Sequence, residues 1–478
     1  MQWLAFRGLR AACAWRRPSG VSGPAAPLSM PALSMLGRLR RSRRGAVALT
    51  FGFSAIVFLG VAGLATEVGS WYLAHRHGQN AADAAASAGA LIRSLNGTHD
   101  VIVARATNAA TRNGYTSGGT ITVTINHPPS IRSNCCYNDQ NAVEAIVDQV
   151  QTPHFGRLFQ VTSETVSSRA VAKVEAIGNA CVLALSGDHS GNSLLLSGNF
   201  AVNAPNCELA SDYAGPDAID FGGSAAATIQ SFYSAGGCSG CTGGGVTTTY
   251  PARTYQAPIP NPFASLDSVV WPPFSTSPNV KCQDVSKGAT TLTPYETSGL
   301  AYCSDLQMAN GDNIVVTPGT YFFWNSSIKI TGGTLTCSGC DVTTGVGVHI
   351  VLLGSTDAKE GIIDINGGIV TLSAAKTNVT FPELQGILFY RQNLTGSDCG
   401  GCNSGGAEVT INGDTGTNLA GGFYFPGVDA KYNGNAGSAC TVIVGGAIQM
   451  NGDATLNEAG CANLGTGVPR TQIVALVE

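Results

Sequence analysis

The sequence has 478 residues, more than one hydrophobic core usually holds, so we expect two or three domains. Only 12% of the residues are charged and 61 are glycine, a composition typical of turn-rich β structure with a neutral surface. Nine of the 26 basic residues precede position 45, and the other seventeen stand against 30 acidic residues, which leaves about −13 on the rest of the chain. This negative balance argues against nucleic acid as a partner.

An apolar run of 20 residues without charge covers 46–65. As a helix it would be about 30 Å long, which matches the hydrocarbon core of a bilayer. A cleaved export signal and a buried core helix are the alternatives. The charged residues that precede the run are all arginines, and Trp71 and Tyr72 follow it at the depth of the membrane interface. We therefore predict a cytoplasmic tail over 1–44, a transmembrane helix over 45–66, and an exported remainder.

The alanine-rich segment 67–97 contains no proline and is predicted to extend the membrane helix. Gln79 and Asp83 are four residues apart and would share one face of this helix, with Asn80 beside them. Two interpretations are open for the extension. It is either a rigid solvated stalk or a surface that packs against the helix of another protein.

Residues 98–177 have the pattern of a small α/β unit. A helical pattern comes first, and alternating apolar and polar residues then predict strands over 120–126, 141–151 and 163–176. We expect a compact sheet with a helix across it.

Residues 178–478 contain recurring short apolar strands that end at glycine or asparagine. One kind of repeat occurs as LLLSGN at 194, IKITGG at 328, IDINGG at 363, VTINGD at 409 and IQMNGD at 448. A second kind, such as GTYFF at 319 and GGFYF at 421, alternates with it. We predict an α+β protein, mostly β, whose last domain is a β-solenoid similar to a parallel β-helix, with a β-sandwich as the alternative. The proline-rich segment 251–280 would interrupt the repeat as a linker or as a loop laid over it.

Fourteen of the 15 cysteines follow the apolar run, which indicates a disulfide framework in an oxidising compartment. The closely spaced candidates are Cys238 with Cys241, Cys337 with Cys340, and Cys399 with Cys402. A zinc site and a redox centre are the alternatives. The pairs are far apart in the sequence and lie in Gly/Ser/Thr-rich loops, so we predict structural disulfides.

No GxSxG, HExxH or P-loop motif occurs in the sequence. The acidic residues at or near glycine turns are Asp312, Asp364, Asp414 and Asp453. In a stacked solenoid they would either form a carboxylate row for calcium or glycoside chemistry, or cap their own turns. We favour turn capping, and we expect no catalytic residue, cofactor or metal.

Residues 43–90 resemble the N-terminal module of the TadE/TadG-like Flp pilus-assembly proteins. The resemblance lies in Arg-Arg-Gly at 43–45, the small and aromatic apolar run, Glu67-Val68-Gly69, Trp71-Tyr72, and Gln-Asn-Ala-Ala-Asp-Ala-Ala from Gln79. It implies a single-pass protein of the bacterial inner membrane whose outer part serves the Tad secretion and pilus machine. It also implies that the α/β unit over 98–177 is pilin-like.

The expected function is therefore that of a non-enzymatic component of a Tad/Flp-type pilus assembly or secretion system. Its N-terminus would be cytoplasmic, its C-terminal domains periplasmic or surface-facing, and its partners the membrane and the pilus machinery. The alternatives are a membrane-tethered, adhesin-like protein with a surface or polysaccharide ligand, and a β-helix enzyme that acts on polysaccharide. The residues predicted to form the assembly interface are Glu67, Tyr72, Gln79, Asn80 and Asp83.

Overall fold

The computed structural model describes residues 43–132, 136–153, 155–185, 193–198, 201–274, 281–356, 359–394, 409–412, 414–433 and 438–478. The described part is mostly β-strand and begins with a long apolar helix, as the sequence predicts. Its contacts define one unit of Met1–Ser70 with His154–Gln160, and a second unit of Trp71–Pro153 with Val161–Glu478. The arginine-rich tail up to residue 42 and the predicted pair Cys399 and Cys402 lie outside the described residues.

The secondary structure is as follows in chain order. The helices are α1 Arg43–Ser94, α2 His99–Arg112, α3 Tyr295–Ser298 and α4 Cys461–Leu464. Short 3-10 turns lie at Gly156–Phe159, Ala264–Ser268 and Pro382–Leu384. The strands of the first half are β1 Ile121–Asn126, β2 Ala142–Gln151, β3 Glu164–Ala184, β4 Leu194–Leu196, β5 Ala201–Ser211, β6 Ile219–Phe221, β7 Ala226–Ser234, β8 Cys238–Ser239 and β9 Val246–Thr248. Those of the second half are β10 Cys282–Gln283, β11 Ala301–Tyr302, β12 Leu306–Met308, β13 Asn313–Val316, β14 Gly319–Trp324, β15 Ile328–Ile330, β16 Thr334–Cys337, β17 Val348–Leu353, β18 Ile363–Asn366, β19 Ile369–Ser373, β20 Ile387–Arg391, β21 Val409–Asn412, β22 Asn418–Asn433, β23 Thr441–Met450, β24 Ala454–Thr455 and β25 Arg470–Leu476.

Helix α1 is long because its sequence has no proline and is rich in alanine and leucine. In the first unit its apolar side chains are exposed on all sides; the largest are Val47, Leu49, Phe51, Phe53, Ile56, Val57, Phe58, Leu59, Val61 and Leu64. A helix that is apolar all round and uncovered is typical of a membrane span. Its length and composition are sufficient to cross a bilayer.

In the second unit, β1, β2, β3 and β25 form an antiparallel sheet in the order β1–β2–β3–β25. The C-terminal part of α1 and helix α2 pack against it through small side chains, chiefly Ala81, Ala85, Ala90, Ala106 and Ala110. Gly89 shows how close this packing is, because a Cβ atom at that position would lie 2.8 Å from Val143 Cγ1. The strands predicted over 120–126, 141–151 and 163–176 are present. The sequence did not place the C-terminal strand β25 in this sheet.

The other pairings are parallel and form three series. The first contains β11, β14, β17, β20, β22, β23, β3, β5 and β7. The second contains β12, β15, β18, β21, β22, β23, β4, β6 and β8. The third contains β13, β16, β19 and β22, and separately β24, β5, β7 and β9. Apolar side chains from all three series share one hydrophobic core.

The two kinds of sequence repeat occupy two of these series. The repeats at 194, 328, 363, 409 and 448 fall in the second series, where Ile328, Ile363 and Val409 are in register. The repeats at 319 and 421 fall in the first series. Each repeat is therefore one strand of a parallel ladder.

The order of strands in the ladders differs from their order in the chain. Leu194 of β4 pairs with Ile448 of β23, so the chain enters the ladders in their middle. From there the chain adds strands toward one end of the ladders, as far as β9. It then continues with β10 at the opposite end, and the following strands lead back to β23 in the middle. The proline-rich segment connects the two ends. Its described part, up to Phe274, lies over the first series.

Disulfide bonds join strands and turns that are adjacent in the ladders. Three of them are Cys181–Cys207, Cys282–Cys303 and Cys440–Cys461, with Cα separations of 5.4, 5.6 and 4.8 Å. The predicted pairs Cys238–Cys241 and Cys337–Cys340 also lie at bonding distance, with Cα separations of 5.9 and 5.5 Å.

Candidate functional site

Gln79 and Asp83 face the protein's own sheet. Gln79 Nε2 donates hydrogen bonds to Asp83 Oδ1 and to the backbone oxygen of Arg169 in β3, both at 2.8 Å. The adjacent Gly78 lies against β3 as well, because a Cβ atom there would be 2.7 Å from Ser168 Oγ. This polar pair, which the sequence assigned to an assembly interface, therefore attaches α1 to β3.

Tyr72 and Asn80 are exposed on α1. Tyr72, Arg76 and Asn80 are spaced four residues apart and share one face of the helix. Leu73 lies next to them, and the side chains of Tyr72 and Leu73 are 59% and 57% exposed. We call Tyr72, Leu73, Arg76 and Asn80 the outer stripe. It offers an aromatic ring, an aliphatic side chain, a cation and an amide to a partner.

Glu67 is buried within the first unit, although it lies only two positions beyond the apolar run. Its Oε2 atom accepts hydrogen bonds from the backbone N–H groups of Phe155 and Gly156, at 2.6 and 3.1 Å. The Phe155 ring lies on Gly63, where a Cβ atom would be 2.6 Å from Phe155 Cδ1. Glu67 thus holds a turn of the chain against α1, a role that its position in the sequence did not indicate.

The five predicted interface residues all lie in one segment that has known relatives. Residues 45–91 match the family model of Tad, putative Flp pilus-assembly TadE/G-like. The match confirms the resemblance inferred from the sequence and supports a role in pilus assembly. No curated protein and no solved structure matches the chain. The Tad segment therefore contains both the apolar helix and the outer stripe.

Outside the Tad segment, a buried ionic cluster connects the proline-rich segment to β5. Arg253 Nη2 lies 3.2 Å from Glu208 Oε1, and burial raises the pKa of the Glu208 carboxyl group. Asp212 accepts a hydrogen bond of 2.7 Å from the backbone N–H of Ile259, and burial raises its pKa to about 7. These residues carry no recognisable signal in the sequence, because they are isolated acidic residues between glycine-rich turns.

A cavity of about 870 Å³ lies beside β12, β13 and β15. Its charged lining consists of Lys287, Asp305, Asp312 and Lys329, and Lys329 Nζ is 3.7 Å from Asp305 Oδ2. Two cations and two anions face the same space. The lining therefore favours neither a cationic nor an anionic ligand.

The aspartates at glycine turns accept backbone hydrogen bonds. The pairs are Asp312 with the N–H of Ala309 at 2.8 Å, Asp414 with that of Gly368 at 2.9 Å, and Asp453 with that of Ala201 at 2.7 Å. Asp364 instead lies in register between Lys329 and Thr410 on the second series. Of the four, Asp312 caps its own turn, whereas Asp414 and Asp453 hold the backbone of distant segments. Among the described residues, no group of three or more His, Cys, Asp or Glu side chains is placed to hold a metal.

Proposed function

We propose that this protein is a non-enzymatic, membrane-anchored component of a Tad/Flp-type pilus assembly or secretion system. The observation that carries the proposal is the coincidence of three features on α1: the family match over residues 45–91, the uncovered apolar helix and the outer stripe. A helix that only anchored a domain would not need an exposed aromatic and amide face beyond the membrane. An assembly component would, because a partner helix binds there.

The proposed topology is a single pass through the inner membrane with the N-terminus in the cytoplasm. Nine arginines precede the apolar run, and no acidic residue does. Basic residues favour the cytoplasmic side of a bilayer. The second unit would then be periplasmic or surface-facing, where its cysteine pairs would be oxidised.

We propose that the region of parallel ladders, predicted over 178–478, is a β-solenoid. Parallel pairing in three series supports it, since a β-sandwich is built from antiparallel sheets. The strands β14, β15 and β16 follow one another in the chain, and each pairs with the corresponding member of β17, β18 and β19. Successive groups of three strands would then be successive turns of the solenoid, with the shared core inside.

The non-enzymatic assignment rests on how the acidic residues are used. Asp312, Asp414 and Asp453 each accept a backbone hydrogen bond, and Glu208 is paired with Arg253. These carboxylates stabilise the fold, a use that does not require a substrate.

A co-purification experiment tests the proposed assembly role. Tyr72→Ala with Asn80→Ala in the full-length chain, expressed with its native pilus operon, should reduce recovery of the pilus-machinery proteins several-fold. Thr107→Ala on α2 is the matched control, because it also changes an exposed helical residue, and it should leave recovery unchanged. Unchanged recovery for the double variant would instead favour the tethered adhesin.

A further inference from the structure

The turn Gly156–Phe159 and the preceding Phe155 are fixed to α1 at two points. Glu67 accepts their backbone N–H groups, and the Phe155 ring covers Gly63. Both contacts are within the first unit. The Glu67 carboxylate and the contact of the Phe155 ring with Gly63 together fix the position of the turn along the axis of α1.

This position along α1 is at the C-terminal edge of the apolar run. Gly63 is inside the charge-free run 46–65, and Glu67 is just beyond it. The two residues are four positions apart, about 6 Å along a helix axis. A ring packed on Gly63 therefore has the depth of the last turn of the run, where hydrocarbon meets headgroups.

The turn has apolar side chains that the protein leaves uncovered. Leu158 is 79% exposed and Phe155 is 44% exposed, and Arg157 beside them is exposed as well. Apolar side chains next to an arginine suit a membrane interface, because the apolar groups enter the acyl region while the cation remains among the headgroups. These side chains continue the exposed apolar surface of α1.

From this geometry we infer that residues 155–158 insert into the outer leaflet of the same membrane that α1 crosses. The inference rests on the proposed membrane anchoring. The turn is a second contact with the bilayer, beside the helix rather than at its end. It restricts movement of the helix along the membrane normal, because α1 is tied to a turn that must stay at the interface.

A lipid-labelling experiment tests the inference. The full-length chain carries the photo-crosslinker benzoylphenylalanine at position 158 and is reconstituted in vesicles of phosphatidylethanolamine and phosphatidylglycerol. Irradiation should give lipid adducts several-fold above those from the same group at position 270, which is 94% exposed outside the apolar helix. Lipid adducts no higher than at position 270, or adducts only with a second copy or another protein, would overturn the inference.

Two glycine variants provide the matched comparison. Gly63→Val places side-chain atoms where the Phe155 ring lies, so lipid labelling from position 158 should fall several-fold. Gly60→Val is the control, since nothing lies within 4 Å of a Cβ atom at position 60, and its labelling should stay at the wild-type level. Equal labelling in the two variants would contradict the assigned contact.

Carbonate extraction separates this inference from the proposed anchoring. A chain that stays in the membrane without lipid adducts at position 158 would overturn the inference and leave the anchor intact. A chain that carbonate releases would overturn both.

Discussion

Small and polar residues in this chain have functions that depend on what lies opposite them. Gly63 and Gly78 are contact surfaces, because Phe155 and Ser168 occupy the space that a side chain would need. His349 is a fully enclosed residue of β17 whose Nδ1–H group donates to the backbone oxygen of Ile387 at 2.6 Å. Burial lowers the pKa of His349 to about 4, so its contribution to stability depends on pH.

His349→Asn tests that dependence at the residue scale. The unfolded chain protonates this histidine near its ordinary pKa of 6.5, whereas the folded protein does so only near 4. Stability from this group is therefore complete above about pH 6.5 and is lost as the pH falls toward 4, by about 3 kcal/mol in total. Asparagine keeps a donor for Ile387 but does not titrate, so this loss should be absent from the variant.

Urea unfolding of the full-length proteins in detergent, between pH 4 and pH 7, checks this expectation. The quantity to compare is the difference between variant and wild type, because Asp212, whose pKa is raised to about 7, contributes a slope of opposite sign in both proteins. A difference that does not change with pH would show that His349 is not held neutral by burial.

At the scale of elements, the proline-rich segment acts as a cover over the first series of strands. Its apolar residues pack onto the outward side of β14, β20 and β22. Phe263 lies against Tyr424, with ring centroids 5.6 Å apart, and the Tyr424 hydroxyl group donates a hydrogen bond of 2.6 Å to Asp267 Oδ2. The segment covers a face that would otherwise expose aromatic rings to water.

Phe263→Ala should destabilise this cover. Removing a fully buried phenylalanine typically costs about 3–5 kcal/mol, through lost burial and the cavity left behind. Val270→Ala, in the same segment but 94% exposed, should change the free energy of unfolding by no more than about 0.5 kcal/mol. Urea midpoints of the two variants make the comparison, and equal losses would mean that the segment does not cover the ladder as described.

At the scale of the whole molecule, strand β3 joins segments from both halves of the chain. β3 pairs with β2 and β25 on one stretch and with β5 and β23 on the next. The C-terminal strand therefore completes a sheet that the N-terminal half began. Disulfides such as Cys282–Cys303 then cross-link neighbouring segments of the ladders, which limits unfolding from the ends of the ladders.

Removal of single disulfides should show an effect that depends on loop length. Cys282→Ser with Cys303→Ser opens a loop of 21 residues, and loop-closure entropy predicts a loss of about 3 kcal/mol. Cys238→Ser with Cys241→Ser opens a loop of 3 residues and should cost about half as much.

Mass spectrometry of non-reduced peptides provides the companion measurement, because it also tests the compartment. Both pairs should be linked in protein taken from the cell envelope. Free thiols at these positions in that material would contradict the proposed topology as well as the pairing.

The sequence determined those features whose signals are local. The length of the apolar run, the arginines before it, the alanine-rich helix, the alternation of β1 and β2, and each repeated strand can be recognised within one contiguous stretch of the chain. The family resemblance over residues 45–91 belongs to the same class. The division into domains over 98–177 and 178–478 stays a prediction, and β3 runs through that boundary.

Only the tertiary structure decided which distant segments meet. It turned Gln79 toward Arg169 and left Tyr72 exposed, although both lie on the same helix. It placed Leu194 beside Ile448 and brought β25 to β3. The physical reason is that strand pairing and helix orientation depend on which apolar surfaces can be buried together. The partner surface lies far away in the sequence, 90 residues for Gln79 and Arg169 and 254 residues for Leu194 and Ile448, so nothing in the local pattern of a strand or a helix face specifies it.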